Sequence, residues 1–241
     1  MDPRYKSPTA EVIDRDDEDE FRDLTTLTTV VVWMLRAGVV FALIALWSAW
    51  MQVDLLSHVY SPDEASANDR REAAVAGVVA VLMIATFVVF GRWIVLAHRN
   101  LPALGAQYLE VRPGWALGVF FIPFINIWKP FQAMRSLWRS SHSVHRPETQ
   151  DSTWVLPTWW TLWLVFNFSA NIPQSIERAS HSVDGLRSAT LVAMVMDVLY
   201  ILLCFVASIL VSRIWHAQEK QRENPEEFEP PKGFADLPST A

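Results

Sequence analysis

Four long apolar stretches alternate with polar segments along the chain. They are Val30 to Trp50, broken by Arg36 and Ser48; Ala73 to Val95, uncharged until Arg92; Trp154 to Ile172, rich in tryptophan; and Ala189 to Val211, charged at Asp197 alone. A helix rises about 1.5 Å per residue, so roughly 20 apolar residues cross a hydrocarbon core. Each stretch meets that length. A surface helix of a soluble domain would show a polar face at every turn, and these do not. The pattern predicts an all-α integral membrane four-helix bundle with crossings at about 30–50, 73–95, 154–172 and 189–211.

A fifth apolar stretch differs. Pro113 to Pro130 is interrupted by Pro123, and its unbroken parts are too short to span. A crossing there would also put Lys129, Arg135, Arg139 and Arg146 on the opposite side from Arg92 and Arg99. The expectation is a re-entrant or interfacial segment, 113–130, entering from the cytoplasmic side and leaning on the bundle, because non-helical backbone at depth needs partners. It leads into residues 131–146, where Phe131, Met134 and Trp138 recur at helical spacing. Arg135, Arg139, His142 and Arg146 recur on a neighbouring face. That is a basic amphipathic helix in the membrane interface. Its four basic residues are candidates for lipid headgroups, each worth about 1 kcal/mol near an anionic surface. The same charges also follow from topology alone.

Charge fixes the expected orientation. The loops after the first and third crossings hold just Arg70, Arg71, Arg178 and Arg187. The two tails and the long middle region hold the other basic residues except Arg36. Lys and Arg mark the cytoplasmic side, so both termini and the middle region belong there. Trp33, Trp93, Trp154 and Trp215 fall at expected inner ends and Trp47 and Trp50 at an outer one, as an aromatic belt requires. Trp159, Trp160 and Trp163 lie deeper, where they would pack between helices.

The composition agrees: 51% hydrophobic and 19% charged residues over 241 positions. The net charge of −6 is concentrated in acidic tails, 1–29 and 212–241, whose low apolar content predicts disorder. A single cysteine, Cys204, excludes a disulfide framework and a thiolate metal cluster.

The ordered motifs His98-Arg-Asn-Leu-Pro-Ala-Leu-Gly105, Pro113-Gly114-Trp115-Ala-Leu-Gly118, Phe121-Ile-Pro123-Phe-Ile-Asn126, Lys129-Pro130 and Leu137-Trp138-Arg-Ser140 resemble the signature of a bacterial membrane family, the domain of unknown function 4328. The resemblance spans roughly 30–211. It implies a multi-helix membrane protein and assigns no activity. Ser136 departs from the acidic residue the family often carries before the Leu-Trp pair.

Candidate chemistry is sparse. Asp197 within a crossing costs on the order of 3 kcal/mol to insert, which suits an interhelical hydrogen bond or a proton, ion or ligand role. Arg36 lies about two turns inside the first crossing and can snorkel to the headgroups. Asn167 and Asn171 are one turn apart and can bond across helices. Together, Asp197, Arg36, Asn167 and Asn171 would line a polar cavity in a small transporter or channel component. Small residues four apart, at Gly38, Ala42, Ala45 and Ala49 and at Ala73, Gly77, Ala76 and Ala80, suit close helix contact within the bundle or a homo-oligomer. His142 and His145, followed by Glu148 and Asp151, lack the held geometry of a zinc site, so no metal and no cofactor are expected. No phosphate loop, nucleophile elbow or nucleic-acid surface is present in the sequence. The expectation is a non-enzymatic protein that binds membrane lipids or a partner through its cytoplasmic face. A lipid-processing enzyme using His98, His142 or His145 is the remaining alternative.

Overall fold

The computed structural model describes residues 20–105, 113–122, 124–142, 154–179 and 182–223, and these are helical with no strand among them. Three helices are long and apolar enough to cross a membrane: α1 (Thr25–Leu55), α2 (Pro62–Ala103) and a later helix, Val183–Glu223. Between them in chain order come α3 (Pro113–Gly118), α4 (Lys129–His142), α5 (Val155–Ser169) and α6 (Ile172–Ala179), which makes the last helix α7. Two single 3₁₀ turns, Val119–Phe121 and Ile125–Ile127, join α3 to α4.

At 1.5 Å per residue α1, α2 and α7 run about 46, 63 and 61 Å, against a hydrocarbon core of about 30 Å. All three project beyond the apolar zone. The start of α2 explains its outward extension. Ser61 and Glu64 form a reciprocal capping box, Pro62 occupies the first helical position, and Asp63 and Glu64 complement the helix dipole. Arg70 and Arg71, expected in a loop, are therefore helical. At its other end α2 stops at Leu104, with Gly105 at φ 94° closing the turn to the Pro102 carbonyl.

α1 and α7 pack along one another and make the main helix pair, with α2 against α1. The bundle has two distinct ends. Gln52 on α1 bonds Thr190 on α7 at one end, near the α1–α2 turn, here called the loop end. At the other, the terminal end, Asn100 of α2 meets Gln218 of α7 and the backbone of Arg22. Since α2 finishes at the terminal end and α7 begins at the loop end, the chain between them must travel the length of the bundle. It does so through α5 and α6. α5 starts beside Arg213, whose guanidinium lies 5.8 Å from the Trp154 ring, and reaches Tyr200 through Phe166 at 5.5 Å. α6 continues along α7. The helix expected over 154–172 thus stops at Ser169, 15 residues or about 22 Å, too short to span by itself.

Two further boundaries differ from expectation. α1 begins at Thr25, with Leu24 and Thr28 buried. α7 does not end near Val211 but runs to Glu223, burying Ile214, Trp215, Gln218 and Gln221. The reason is an apolar stripe hidden among charges: Ile214 and Trp215 face protein at the terminal end, while His216, Lys220 and Arg222 face outward.

The densest core sits at this terminal end. Trp93, Ala97, Leu101, Ala133, Met134, Leu137, Leu210 and Ile214 are fully buried. The middle of α2, by contrast, exposes Val78, Val81, Ile84 and Val88, and α7 exposes Val195 and Phe205. Large apolar side chains outward and a tight polar-pinned end is the distribution a bilayer allows. The α2 stripe of Ala73, Ala76, Gly77 and Ala80 also faces outward. On α1, Gly38 lets α7 approach so closely that a Cβ there would stand 3.2 Å from both Cys204 Sγ and Tyr200 Oη.

Candidate functional site

The terminal end gathers most of the motif residues. α4 carries its apolar side, Ala133, Met134, Leu137 and Trp138, against α2, α5 and α7 rather than toward lipid. The helix expected over 131–146 is thus present as α4, with its apolar side packed against protein. Because α2 and α7 overrun the apolar zone, they present a protein wall that buries α4 more completely than headgroups could. Arg135 and Arg139 lie half-buried on the flank of the docked helix, and Arg146 is outside the described residues.

Buried polar groups lock this docking. The Gln218 side chain, with no exposed surface, donates through Nε2 to the Ala97 carbonyl at 2.9 Å and to Ser141 Oγ at 3.0 Å. Asn100 Nδ2 donates to the Arg22 carbonyl at 2.9 Å, and its Oδ1 accepts from the Arg22 amide at 3.0 Å. A Trp93 indole donates to Thr28 Oγ1 at 2.9 Å. Four segments are thereby tied at one point: the residues before α1, the end of α2, α4 and the end of α7. Sequence reasoning missed Gln218 and Asn100. Their signal was an uncharged amide on a helix face otherwise apolar, which local pattern does not separate from a solvent-facing glutamine.

Of the three candidate histidines, His98 and His142 are described, and each is held by backbone carbonyls. His98 is enclosed, with Nδ1 at 2.8 Å from the Ile94 carbonyl and Nε2 at 3.2 Å from the Ala133 carbonyl, so it staples α2 to α4. His142 donates Nδ1–H to the Trp138 carbonyl and stacks on the Trp138 ring at 4.1 Å. Burial holds its pKa below that of a free imidazole, opposed by the Trp138 hydrogen bond and reinforced by the Arg213 guanidinium. His145 lies outside the described residues. Among the described residues no three His, Cys, Asp or Glu side chains stand close enough to hold a metal.

The segment before α4 packs inward. Ala116 and Val119 are buried, Leu117 lies against Gly91 of α2, and Phe120 meets Trp163 edge-on at 5.9 Å. Pro113 opens α3, Gly114 and Trp115 are exposed, and Pro130 is buried at the start of α4. Phe124, at φ 67°, carries the backbone strain of the turn, whereas Pro123 is outside the described residues. Asn126 Oδ1 is buried and meets no donor among the described residues. Together with Thr86, Trp159, Tyr200 and Cys204, Leu117 and Phe120 line an apolar cavity of about 110 Å³ inside the bundle.

The four intramembrane candidates do not meet. Arg36 is exposed on α1 with its guanidinium 5.1 Å from the Trp33 ring. Asn167 donates to the carbonyl of Trp163 in its own helix, and Asn171 is exposed between α5 and α6, its carbonyl accepting from Ser175. Asp197 is half-buried toward the loop end, near the Glu72 carboxylate. Glu72 belongs to a network the sequence reading did not find. It accepts from Ser48 Oγ and pairs with Arg71 at 3.3 Å, while Arg71 also bonds Ser48 and Asn68. Asn68 reaches Gln52, which bonds Thr190. This network joins α1, α2 and α7 at the loop end.

The family model described as a domain of unknown function, DUF4328, matches residues 57–216. That stretch holds α2 to α6 whole and most of α7, and leaves out α1, the Arg22 segment before it and the last two turns of α7 with Gln218. No curated protein and no solved structure matches the chain. With two thirds of its length matched to that family model, including every motif of the docked α3–α4 unit, the chain belongs to the DUF4328 family.

Proposed function

We propose that this protein is a non-enzymatic, four-crossing component of the bacterial plasma membrane, with both termini in the cytoplasm, that binds a partner or lipid headgroups through the face carried by α4. In this reading α5 and α6 make a broken third crossing, and 113–130 enters the bilayer from the cytoplasmic side. The topology is supported by the distribution of Lys and Arg, which favours the terminal end as the inner one. The observation that carries the binding role is that the apolar side of α4 is consumed in docking, so its other flank, with Gln132 exposed and Arg135 and Arg139 half-buried, is the basic face it presents. A helix held this way is a fixed basic surface, suited to an acidic partner.

The test is photo-crosslinking in cells from a reactive residue at Gln132 of the full chain, with a loop-end position, Val59, as control. Protein or lipid adducts at Gln132 that fall in an Arg135→Gln, Arg139→Gln variant support the role. Yields no higher than at Val59 overturn it. A second reading, proton or ion movement, is favoured by Asp197, half-buried on α7 within electrostatic reach of the Glu72 carboxylate. It requires flux in proteoliposomes that Asp197→Asn abolishes without unfolding the protein.

A further inference from the structure

A second groove lies outside the face described above, between α1 and α7, with a volume of about 470 Å³. Its walls are apolar: Val32, Leu35 and Val39 from α1, with Phe205 and Ile209 from α7. Its lining also includes two guanidinium groups, that of Arg213 at the end toward the termini and that of Arg36, which lies over Trp33, a residue nearer the termini on α1. Among the described residues neither meets a carboxylate. Each is held over an indole instead, Arg36 at 5.1 Å from the Trp33 ring and Arg213 at 5.8 Å from that of Trp154. An arginine covered on one face by an aromatic ring keeps its N–H edge for an anion, and that edge matches two phosphate oxygens.

The order of chemistry along the groove follows that of a lipid. From Arg213 to Phe205 is eight residues of α7, about 12 Å along the axis. Arg213 stands at the terminal end of that distance, the Arg36 guanidinium lies over Trp33 on the terminal side of its own backbone, Ile209 lies midway, and Val39 and Phe205 lie toward the bundle centre. Exposed Trp33 and Trp154 beside the arginines are the indoles expected at a headgroup level. Ser208 and Ser212 each donate to a carbonyl of their own helix, so their part is smallness, which keeps the groove open. We infer that this groove holds one anionic phospholipid, its phosphate between Arg36 and Arg213 and an acyl chain along Val39, Phe205 and Ile209. The inference is independent of the α4 reading, since no α4 residue lines the groove.

The experiment is native mass spectrometry of the full chain in detergent, titrated with phosphatidylglycerol, phosphatidylcholine or inorganic phosphate. Wild type should retain phosphatidylglycerol at least tenfold more tightly than phosphatidylcholine, with no binding of inorganic phosphate. Arg36→Gln with Arg213→Gln should lose at least tenfold. Ser212→Phe, which fills the groove and keeps both charges, should lose a comparable amount while its melting temperature confirms folding. Arg92→Gln with Arg99→Gln, equal in charge and exposed on α2, should bind as wild type. Wild-type affinity in the double Arg36, Arg213 variant overturns the inference. So does equal loss in the α2 control, equal affinity for the two lipids, or binding of inorganic phosphate alone.

Discussion

Replacing Gln218 by Leu tests whether the terminal end is held by its buried amides. The two side chains are close in volume, so packing is nearly conserved and the hydrogen bonds are what changes. Gln218 Nε2 makes contacts of 2.9 and 3.0 Å to Ala97 and Ser141, and Oε1 accepts a longer one, 3.4 Å, from Asn100. Each of the two short bonds contributes about 1 kcal/mol, and leaving one buried partner less well satisfied adds roughly 1 to 2 more, which gives about 3 to 4 kcal/mol. For a protein of this size that is roughly 6 to 16 °C in melting temperature. The assay is thermal unfolding in detergent, followed by fluorescence of the buried Trp138 and Trp215. Gln132→Leu, at an exposed position on α4, is the control and should move the midpoint by no more than about 1 °C. A shift in Gln218→Leu as small as that of the control would refute the claim that this amide pins α4 to α7.

Other outcomes follow from the same geometry. Gly38→Val should destabilise the α1–α7 pair by about 1 to 3 kcal/mol, because a Cβ already stands 3.2 Å from Cys204 and Tyr200, whereas Gly77→Val, with open space around it, should not; equal melting temperatures would contradict the close approach. His142 has a folded pKa below its ordinary 6.5, so the neutral form is favoured by folding. Its contribution is complete above 6.5 and is lost as pH falls through the lower folded value; melting temperature should drop on acidification through that window, and less so in His142→Gln. Ser61→Ala should cost about 1 kcal/mol locally by opening the capping box, read as faster hydrogen exchange over the first turn of α2 with little change elsewhere.

Much of the architecture could be read from composition along the chain. Val30–Trp50, Ala73–Val95 and Ala189–Val211 lie inside α1, α2 and α7, because an uninterrupted apolar run has no other low-cost place and no other backbone form in a bilayer. Family membership was legible for a different reason, the ordered Gly, Pro and Trp motifs between 98 and 140. The candidate site was much less legible. Arg36, Asp197, Asn167 and Asn171 share an apolar setting in the sequence but sit at different levels and faces of the bundle, and nothing in helical periodicity reports depth across separate helices.

What the sequence determined by itself is the helical class, the three long apolar helices and the crowding of basic charge toward one end, since these depend on local hydropathy and charge counted residue by residue. What the tertiary structure decided is where the helices stop and what they meet. α7 continues past the apolar run because Ile214, Trp215 and Gln218 find α2 and α4, and the α4 face turns to protein because that wall exists. Arg36 and Arg213 share one groove although 177 positions separate them in the chain. Burial and hydrogen bonding between segments far apart in sequence settle such matters, and they exist only once the helices have packed.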